Sequence, residues 1–558
     1  MPLNMLTTVS RIYREVADEY LAALPANQPR PRPEDIELDI INTLALKIAA
    51  LNDELPKGSK QRYPLTMPPY ITARIVAALW PVCKIPLAGA ETDPAYDVLG
   101  LYQEDGPDAG LYVTSDWVFR RLLRQFNTGA TTRDFNEFVA ALGEIVERRE
   151  PCQDRDLIPV NNGIFDYKNK KLLPFCTEYI FLSKCRVNYV PAANNFIIHN
   201  PDDNTDWDVE SWMGSLSDDP EITDLLWKIL GAIIRPNVSW NKAAFFYSET
   251  GNNGKGTLCA LMRNLCGPGT YCSISLADFG KEFQLEPLMW ASAIIVDENS
   301  VGAFADKSGN FKAAITGDVL YINRKNEKPI SIRFRGLMVQ CVNELPRVKD
   351  KSDSLYRRLL LVPFTKCFTG HERKYIKDDY LCQPDVLEYV LWRILNMDYY
   401  ELPNPAACQA LMGEYKQTND PLRQFADEIL PQLVWDAVPL KYMHDLYTAW
   451  LKQAYPGGHP LGKQTFNTSL QQLLTEYPDW TYNKGQVYIG NRMSRPEPLS
   501  LQYGLNYWQN QNLCFNDRDR ARPVAPALKD KYTGVYLRVG GSAQSVAALP
   551  QPYVPKTA

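Results

Sequence analysis

The chain has 558 residues, too many for one hydrophobic core, so the sequence predicts several domains. Its 45% hydrophobic and 22% charged residues are typical of a globular protein, and the lack of any run of about 18 apolar residues argues against a membrane span. The net charge of −5 excludes a global attraction to nucleic acid, so a DNA-binding surface must be local.

The cysteines and the amino terminus bear on the cellular compartment. Twelve cysteines are scattered singly, with no C-x-x-C pair, which argues against a zinc site and a disulfide framework. The first residues become charged at once and lack the apolar core of a signal peptide. We therefore expect a reducing cytoplasm.

Composition and periodicity divide the chain into five predicted segments. They are a helical amino-terminal accessory domain (1–92), a mixed α+β domain (93–210), an α/β core (211–400), a domain of helices followed by a β-hairpin (415–498) and an irregular tail (499–558). Within the core, short and continuously apolar strands alternate with helices. Such strands suit a parallel sheet that is covered on both faces, so the fold class is α/β.

A Gly- and Asn-rich stretch, SETGNNGKGT, follows the first of these strands. It departs from the phosphate-loop pattern G-x-x-x-x-G-K-[ST], because Glu249 replaces the first glycine and Gly256 replaces the hydroxyl residue. At a strand-to-helix turn, free backbone N–H groups would still form an anion cradle, with Lys255 supplying positive charge. An ordinary surface turn is the alternative. The candidate nucleotide-binding residues are Gly251, Asn252, Asn253, Gly254, Lys255, Gly256 and Thr257.

Polar residues flank three other apolar runs in the core. Asp297 and Glu298 follow one strand, where they would hold Mg²⁺ through its water shell and polarise an attacking water. Asn343 follows another and would contact a γ-phosphate or that water. Arg357 and Arg358 precede a fourth and are either plain surface residues or a source of charge delivered to a neighbouring subunit. Four such features in this order predict a nucleotide site.

These residues resemble the superfamily 3 helicases, in the branch of phage, plasmid and poxvirus primase–helicases. That branch has a G-x-G-x-N-G-K loop, an acidic strand end, a sensor asparagine and an arginine pair before a further strand. The matching positions here are Gly251, Asn253, Gly254, Lys255, Asp297, Glu298, Asn343, Arg357 and Arg358. The resemblance runs from about residue 96 through the helix-and-hairpin segment.

The resemblance implies an AAA+ P-loop ATPase fold with a parallel sheet, and a primase–helicase type of domain in front of it. It implies ATP and Mg²⁺ as ligands, assembly into a homo-hexamer and movement 3′-to-5′ along DNA. Since Gly256 carries no hydroxyl, Thr257 is the hypothetical second Mg²⁺ ligand beside Asp297. A bacterial host cytoplasm is the expected location.

Basic residues outnumber acidic ones between Arg324 and Arg358, which by itself could be a solvated face. Two β-like runs there flank the polar tip 325–328, at the place where superfamily 3 helicases carry the loop that grips DNA. In segment 415–498, helices followed by a hairpin fit a winged helix, which binds DNA or protein. One helix there carries Lys463, Gln464 and Asn467, which are candidates to face DNA. The candidate DNA contacts are Arg324, Lys325, Asn326, Lys328 and Lys463.

The predicted function is an ATP-dependent replicative DNA helicase of a phage, plasmid or satellite element. Its partners would be single-stranded and forked DNA, further copies of itself and host replication proteins. No histidine and no cysteine pair precedes residue 150, so we expect primase activity from a separate chain. The alternatives are an ATP-switched origin-binding initiator and an ATPase that remodels or packages nucleoprotein.

Overall fold

The computed structural model describes residues 3–25, 28–300, 308–325, 329–345, 353–454, 460–493, 495, 497–508, 529 and 531–540. The chain forms two compact units, Met1–Met412 and Gly413–Ala558. Among the described residues, no helix is both long and apolar enough to cross a bilayer. The finer division into five segments stays a prediction.

The first unit contains twelve helices and fifteen strands among its described residues. The helices are α1 Leu3–Ala23, α2 Pro33–Asp53, α3 Pro69–Leu79, α4 Asp116–Phe126, α5 Thr132–Ile145, α6 Val209–Ser215, α7 Pro220–Ile233, α8 Lys255–Cys266, α9 Ser308–Thr316, α10 Asp353–Tyr356, α11 Lys374–Asp378 and α12 Pro384–Leu395. The strands are β1 Val82–Ile85, β2 Val98–Tyr102, β3 Tyr112–Val113, β4 Leu157–Val160, β5 Gly163–Asp166, β6 Lys171–Leu173, β7 Ile198–Asn200, β8 Thr205–Trp207, β9 Ala243–Tyr247, β10 Tyr271–Cys272, β11 Ala293–Val296, β12 Val319–Ile322, β13 Ile330–Arg333, β14 Leu337–Val342 and β15 Leu359–Pro363. The helix α13, Ala406–Asn419, spans the division between the units.

The amino-terminal helices form one core with the two helices that follow them. The helix α2 buries Ile36, Ile40, Leu44 and Ile48, which recur every four residues and therefore lie on one face. This face packs in a cluster that also holds residues of α4 and α5, such as Phe119 and Phe138. The core thus spans the boundary predicted at residue 92.

A five-stranded parallel sheet is the centre of the first unit. Its strand order is β10-β11-β14-β9-β15, with every neighbouring pair parallel. All residues of β11 and β14 are buried, as expected for strands covered on both faces. The α/β fold with a parallel sheet is confirmed, and the carboxyl ends of β9, β11 and β14 meet at one edge.

The strands β12 and β13 pair antiparallel, with Ile322 opposite Ile330. They are the two β-like runs that the sequence placed around a polar tip. The tip residues 326–328 lie outside the described residues, so the predicted contacts Asn326 and Lys328 have no structural account here.

The second unit combines short helices with a three-stranded antiparallel sheet. Its helices are α14 Pro421–Ile429, α15 Leu440–Ala454, α16 Lys463–Leu473 and α17 Pro498–Gln502, and its strands are β16 Ala437–Pro439, β17 Trp480–Tyr488 and β18 Lys531–Arg538. The sheet order is β16-β18-β17. Its core is rich in aromatic side chains, among them Phe425, Trp435 and Phe466.

Two predictions for this unit are wrong. The segment DWTYNKGQVYIG is not a hairpin, because β17 runs through it as one strand with an irregularity between Asn483 and Gln486. Its partner is β18, so the tail predicted to be irregular from residue 499 contains a strand at 531–538. The turn-forming sequence around Gly485 is accommodated as a bulge because β18 pairs with both halves of β17.

Buried Glu497 is expected to make the second unit less stable as the pH rises. Its Oε2 accepts hydrogen bonds from the backbone N–H groups of Val434 (2.8 Å) and Trp435 (3.0 Å), and burial raises its pKa to about 7. Below the ordinary glutamate value of 4.5 the proton is bound in both the folded and the unfolded state. Between there and pH 7 only the folded state keeps it, so about 3 kcal/mol of stability is lost across this window.

Unfolding by urea at pH 4.5 to 8, followed by tryptophan fluorescence, checks this expectation. Glu497→Gln keeps an oxygen acceptor and should flatten the pH dependence, becoming more stable than wild type at pH 8. Asp479→Asn, which removes an exposed carboxylate from the same unit, is the control. Parallel pH profiles for wild type and Glu497→Gln would contradict the assignment.

Candidate functional site

The loop between β9 and α8 is held in a conformation that needs glycine at one position. Gly254 precedes the first helical residue with φ +84°, in the left-handed region. A Cβ added there would lie 2.6 Å from Leu216 Cδ2, whereas one on Gly251 or Gly256 meets no atom within 4 Å. The start of α8 therefore directs its free N–H groups into the loop, as the sequence predicts.

The two glycines on either side of Lys255 are expected to respond in opposite ways to alanine. Gly254→Ala should lower the free energy of unfolding by about 1–2 kcal/mol, because it strains the left-handed backbone and crowds Leu216. Gly256→Ala should raise it by about 0.5–1 kcal/mol, because Gly256 lies inside α8 with open space around it. Thermal melting of both variants tests the pair, and equal shifts would contradict this account of the loop.

Asn253 organises the loop from the inside. It is 3% exposed, and its Nδ2 donates to the Ser248 hydroxyl at 2.7 Å and to the Thr250 carbonyl at 2.6 Å. Its Oδ1 accepts a hydrogen bond from Lys255 Nζ at 2.8 Å. One amide thus fixes the loop and the lysine together.

Lys255 lies between the loop and the neighbouring strand β14. Its Nζ also donates to Oδ1 of Asn343 at 3.1 Å, directly after the end of β14. The lysine is only 6% exposed, and burial lowers its pKa below the ordinary value. Both acceptors are neutral amide oxygens, so the ammonium charge is not balanced by them. The structure therefore brings together the predicted residues Lys255 and Asn343.

Asp297 follows β11 and forms an ion pair that the sequence did not reveal. Arg263, in the last turn of α8, donates to both carboxylate oxygens, at 2.9 and 3.1 Å. These hydrogen bonds lower the pKa of Asp297 below its ordinary value. The pair is partly solvated and so adds little stability, but it fixes the direction of the carboxylate. Glu298 beside it is exposed.

A buried amide network lies directly behind the acidic pair. Asn299 donates to Gln340 Oε1 at 2.9 Å and to the Cys341 carbonyl at 3.0 Å, both on β14. Its Oδ1 accepts from the Leu276 backbone at 3.1 Å. The network ties the end of β11 to β14. Gln340 is the polar residue in the otherwise apolar strand β14, and it is the residue from which the sequence could have predicted this network.

A cleft of about 710 Å³ opens beside the loop. Asn252, Gly254 and Thr257 border it on one side, and the aromatic residues Trp207, Trp212 and Phe368 lie among its other walls. Asn252 joins the two sides, because its carbonyl accepts from the Phe368 N–H at 2.8 Å and its Nδ2 donates to Glu372 at 3.0 Å. The size is typical of a small-molecule site with a few polar groups. Thr257 is half-buried at this border.

Arg357 and Arg358 lie at the opposite edge of the sheet from the loop. They precede β15, which is parallel to β9, and the Arg358 carbonyl accepts from Ala243 N, at the start of β9. Arg358 donates to the carbonyl and hydroxyl of Ser354, whereas Arg357 is exposed. Neither arginine lies at the edge of the sheet where Lys255 lies.

The candidate DNA contacts differ in how exposed they are and in whether they already have a partner within the protein. Lys325 is exposed, but Arg324 is half-buried, with Nε 3.7 Å from Glu286. In the second unit Lys463 is exposed at the start of α16. The expectation that Asn467 faces DNA is wrong, because its amide donates to the Tyr482 hydroxyl at 3.2 Å and accepts from that of Tyr536 at 2.8 Å.

Three family models match separate parts of the chain. A D5 N-terminal-like model matches residues 123–229, a family of unknown function (DUF5906) matches 246–358, and a poxvirus D5 protein-like model matches 417–497. Residues 246–358 include the loop, Asp297, Glu298 and Asn343.

Solved structures of the C-terminal region of NrS-1 resemble the chain at low identity. The A-form apo structure has 13% identity and a TM-score of 0.41, with 74% of this chain and 95% of that chain covered. The apo structure of region 305–718 has 14% identity and a TM-score of 0.40, covering 76% and 97%.

The parallel sheet, with a Gly-rich loop and a lysine at the start of the following helix, defines a P-loop-like α/β protein. Within that class, the two D5 models support a resemblance to the D5-like primase–helicases, and the resemblance seen in the sequence is confirmed. The resemblance points to a role in DNA replication.

Proposed function

We propose that the chain is an ATP-dependent replicative DNA helicase of a phage, plasmid or satellite element, working as a homo-hexameric ring. The observation that carries the proposal is the placement of Lys255, whose buried ammonium group bridges the loop and the strand β14 through Asn253 and Asn343. A positive charge held by neutral groups next to free helix N–H groups suits a triphosphate. Asn343 is then positioned to sense the γ-phosphate.

The adjoining cleft supports a nucleotide over a plain phosphate. It begins at Gly254 and Thr257, so a phosphate chain on the loop leads directly into it. Trp207, Trp212 and Phe368 offer aromatic surface for a base, and Asp206, Asp208 and Glu372 offer acceptors for hydroxyl groups. ATP is the nucleotide that the family resemblance implies.

Mg²⁺ fits the donors at this edge, which are oxygen atoms of Asp297, Glu298 and Thr257. Asp297 would act through water, which leaves its ion pair with Arg263 intact. Bound Mg²⁺ would supply charge neutralisation at the phosphates. Glu298, exposed beside Asp297, would orient the attacking water.

The role of Thr257 has a direct test. Thr257→Ala is expected to raise the Mg²⁺ concentration needed for half-maximal ATPase activity about tenfold, while Thr257→Ser, which keeps the hydroxyl, should stay near wild type. Titration of Mg²⁺ at saturating ATP measures both. An unchanged Mg²⁺ requirement in Thr257→Ala would remove Thr257 as a ligand.

DNA would be held by two regions. The hairpin β12–β13 presents Lys325 at its exposed end, where a phosphate contact needs no particular base. In the second unit the order α14, β16, α15, α16, β17, β18 supports a winged helix, with Lys463 at the start of the helix that would approach DNA. Movement 3′-to-5′ is carried over from the family resemblance, whereas a separate primase is expected because no histidine and no cysteine pair precedes residue 150.

Strand separation on a forked duplex tests the proposal. The full chain is incubated with Mg²⁺ and either ATP or ADP, on forks whose single-stranded tails have 3′ or 5′ polarity. The proposal expects strand separation with ATP but not with ADP. It expects separation of the substrate with a 3′ tail and not of the substrate with a 5′ tail. If the protein binds ATP and DNA but separates neither substrate, the ATP-switched initiator or the remodelling ATPase replaces the helicase.

A further inference from the structure

A second cavity, of about 140 Å³, lies away from the nucleotide loop at the base of the hairpin. Arg333 and Arg335, at and just after the end of β13, line it together with Arg155 and Arg235 from earlier parts of the chain. No aspartate or glutamate is among the lining residues. Four arginines therefore meet around one space, and none of the described residues in its wall is a carboxylate.

The partners of these arginines are neutral. Arg333 Nε donates to the Ala88 carbonyl at 2.8 Å, and Arg335 donates to the Gln153 side chain at 3.1 Å. The Arg155 guanidinium lies 4.3 Å from the centre of the Tyr400 ring. Within the described part of the chain, none of the three forms an ion pair.

The fourth arginine is buried and equally without an anion. Arg235 is 1% exposed, donates to the Tyr399 carbonyl at 3.0 Å and stacks 3.6 Å from the centre of the Tyr167 ring. No described carboxylate is ion-paired to it. Arg155, Arg333 and Arg335 are exposed, so their charges raise the positive potential at the cavity where an anion can reach them, and guanidinium groups recognise phosphate oxygens in pairs. Burial and the charge of Arg333 both lower the pKa of Arg335, although Glu150 opposes this.

One more side chain favours a nucleic-acid strand over a free anion as the ligand of this cavity. Trp290 also lines the cavity and is 40% exposed, a large aromatic surface that the fold leaves open. A base can stack on such a ring while its phosphate contacts the arginines, which is how proteins bind single strands without reading their sequence. The cavity is also lined by residues of β13, the second strand of the hairpin that is proposed to contact DNA.

We propose that this cavity binds a phosphate group of single-stranded DNA, with an adjacent base stacked on Trp290. It would give the strand a second contact at the base of the hairpin, besides Lys325 near the tip. The inference rests on the proposed action on DNA, but it does not depend on ATP hydrolysis.

Binding of a labelled single-stranded oligonucleotide to the full chain, at several salt concentrations and without nucleotide, tests the site. Arg335→Gln is expected to weaken binding about tenfold and to reduce the slope of log K against log salt by about 0.7. Trp290→Leu should also weaken binding about tenfold but leave the slope unchanged, because stacking releases no counterions. Arg121→Gln, which removes an exposed positive charge on α4, is the matched control.

The outcomes are distinct. Wild-type affinity and slope in both Arg335→Gln and Trp290→Leu, with melting temperatures showing folded protein, would overturn the site on DNA. If inorganic phosphate then raised the melting temperature of wild type but not of Arg335→Gln, the cavity would be a site for free phosphate instead. Failure here would leave ATP-dependent strand separation unaffected, so it is distinguishable from failure of the helicase proposal.

Discussion

Replacing Lys255 with alanine is expected to lower the ATPase rate by at least about 10²–10³-fold and to eliminate strand separation. The ammonium group is buried and already directed between the loop and β14, so its position need not be organised when the phosphates arrive. Alanine removes that charge and also leaves Asn253 Oδ1 and Asn343 Oδ1 without this donor. Charge stabilisation and the link between the loop and β14 are lost together.

Steady-state phosphate release and the fork assay measure this effect. Lys281→Ala is the control, because Lys281 is 61% exposed and paired with Asp278 in the same unit. Its rate should stay within twofold of wild type. A Lys255→Ala protein that still hydrolysed ATP at the wild-type rate would show that the loop is not a nucleotide site, and melting temperatures would establish that both variants are folded.

The parallel sheet was predictable because its buried strands consist almost entirely of apolar residues. The strands β11 and β14 are buried at every residue, which matches continuous apolar runs in the sequence. The site followed from the same pattern, since residues that come after parallel strands share an edge. Lys255 and Asn343 meet there, 3.1 Å apart.

What the sequence missed depends on pairings between distant residues. Trp480 lies opposite Arg538 in the sheet of the second unit, and no local pattern encodes that partnership. Without β18, the turn residues near Gly485 favour a hairpin. The same pairing brings Tyr536 to Asn467, so a polar helix residue that resembled a DNA contact serves the interior of the unit.

The sequence does not mark Arg263 as the partner of Asp297, for a different physical reason. A basic residue in the last turn of a helix ordinarily compensates the helix dipole and needs no further partner. Here it lies on the same helix as Lys255 and reaches the carboxylate that ends β11. Only the packing of α8 against β11 discloses that role.

Replacing Arg357 with alanine is expected to lower the ATPase rate about 10³-fold or more, although Arg357 lies far from the loop of its own chain. It precedes β15 at the start of β9, and the five residues of β9 separate that edge from the loop by about 17 Å. An arginine there cannot serve its own nucleotide, but in a head-to-tail ring it can face the next subunit's. Arg358 is engaged by Ser354, so Arg358→Ala should chiefly lower the melting temperature.

Mixing two inactive variants separates this trans role from a structural one. Lys255→Ala keeps Arg357, and Arg357→Ala keeps Lys255, so roughly a quarter of the interfaces in an equal random mixture would contain one intact pair. The mixture should therefore recover ATPase activity that neither variant has alone. No recovery, in mixtures shown to form joint assemblies, would mean that Arg357 does not act on a neighbour's nucleotide and only supports the fold. Recovery would in turn require an oligomer, because a monomer has no neighbour to supply the arginine.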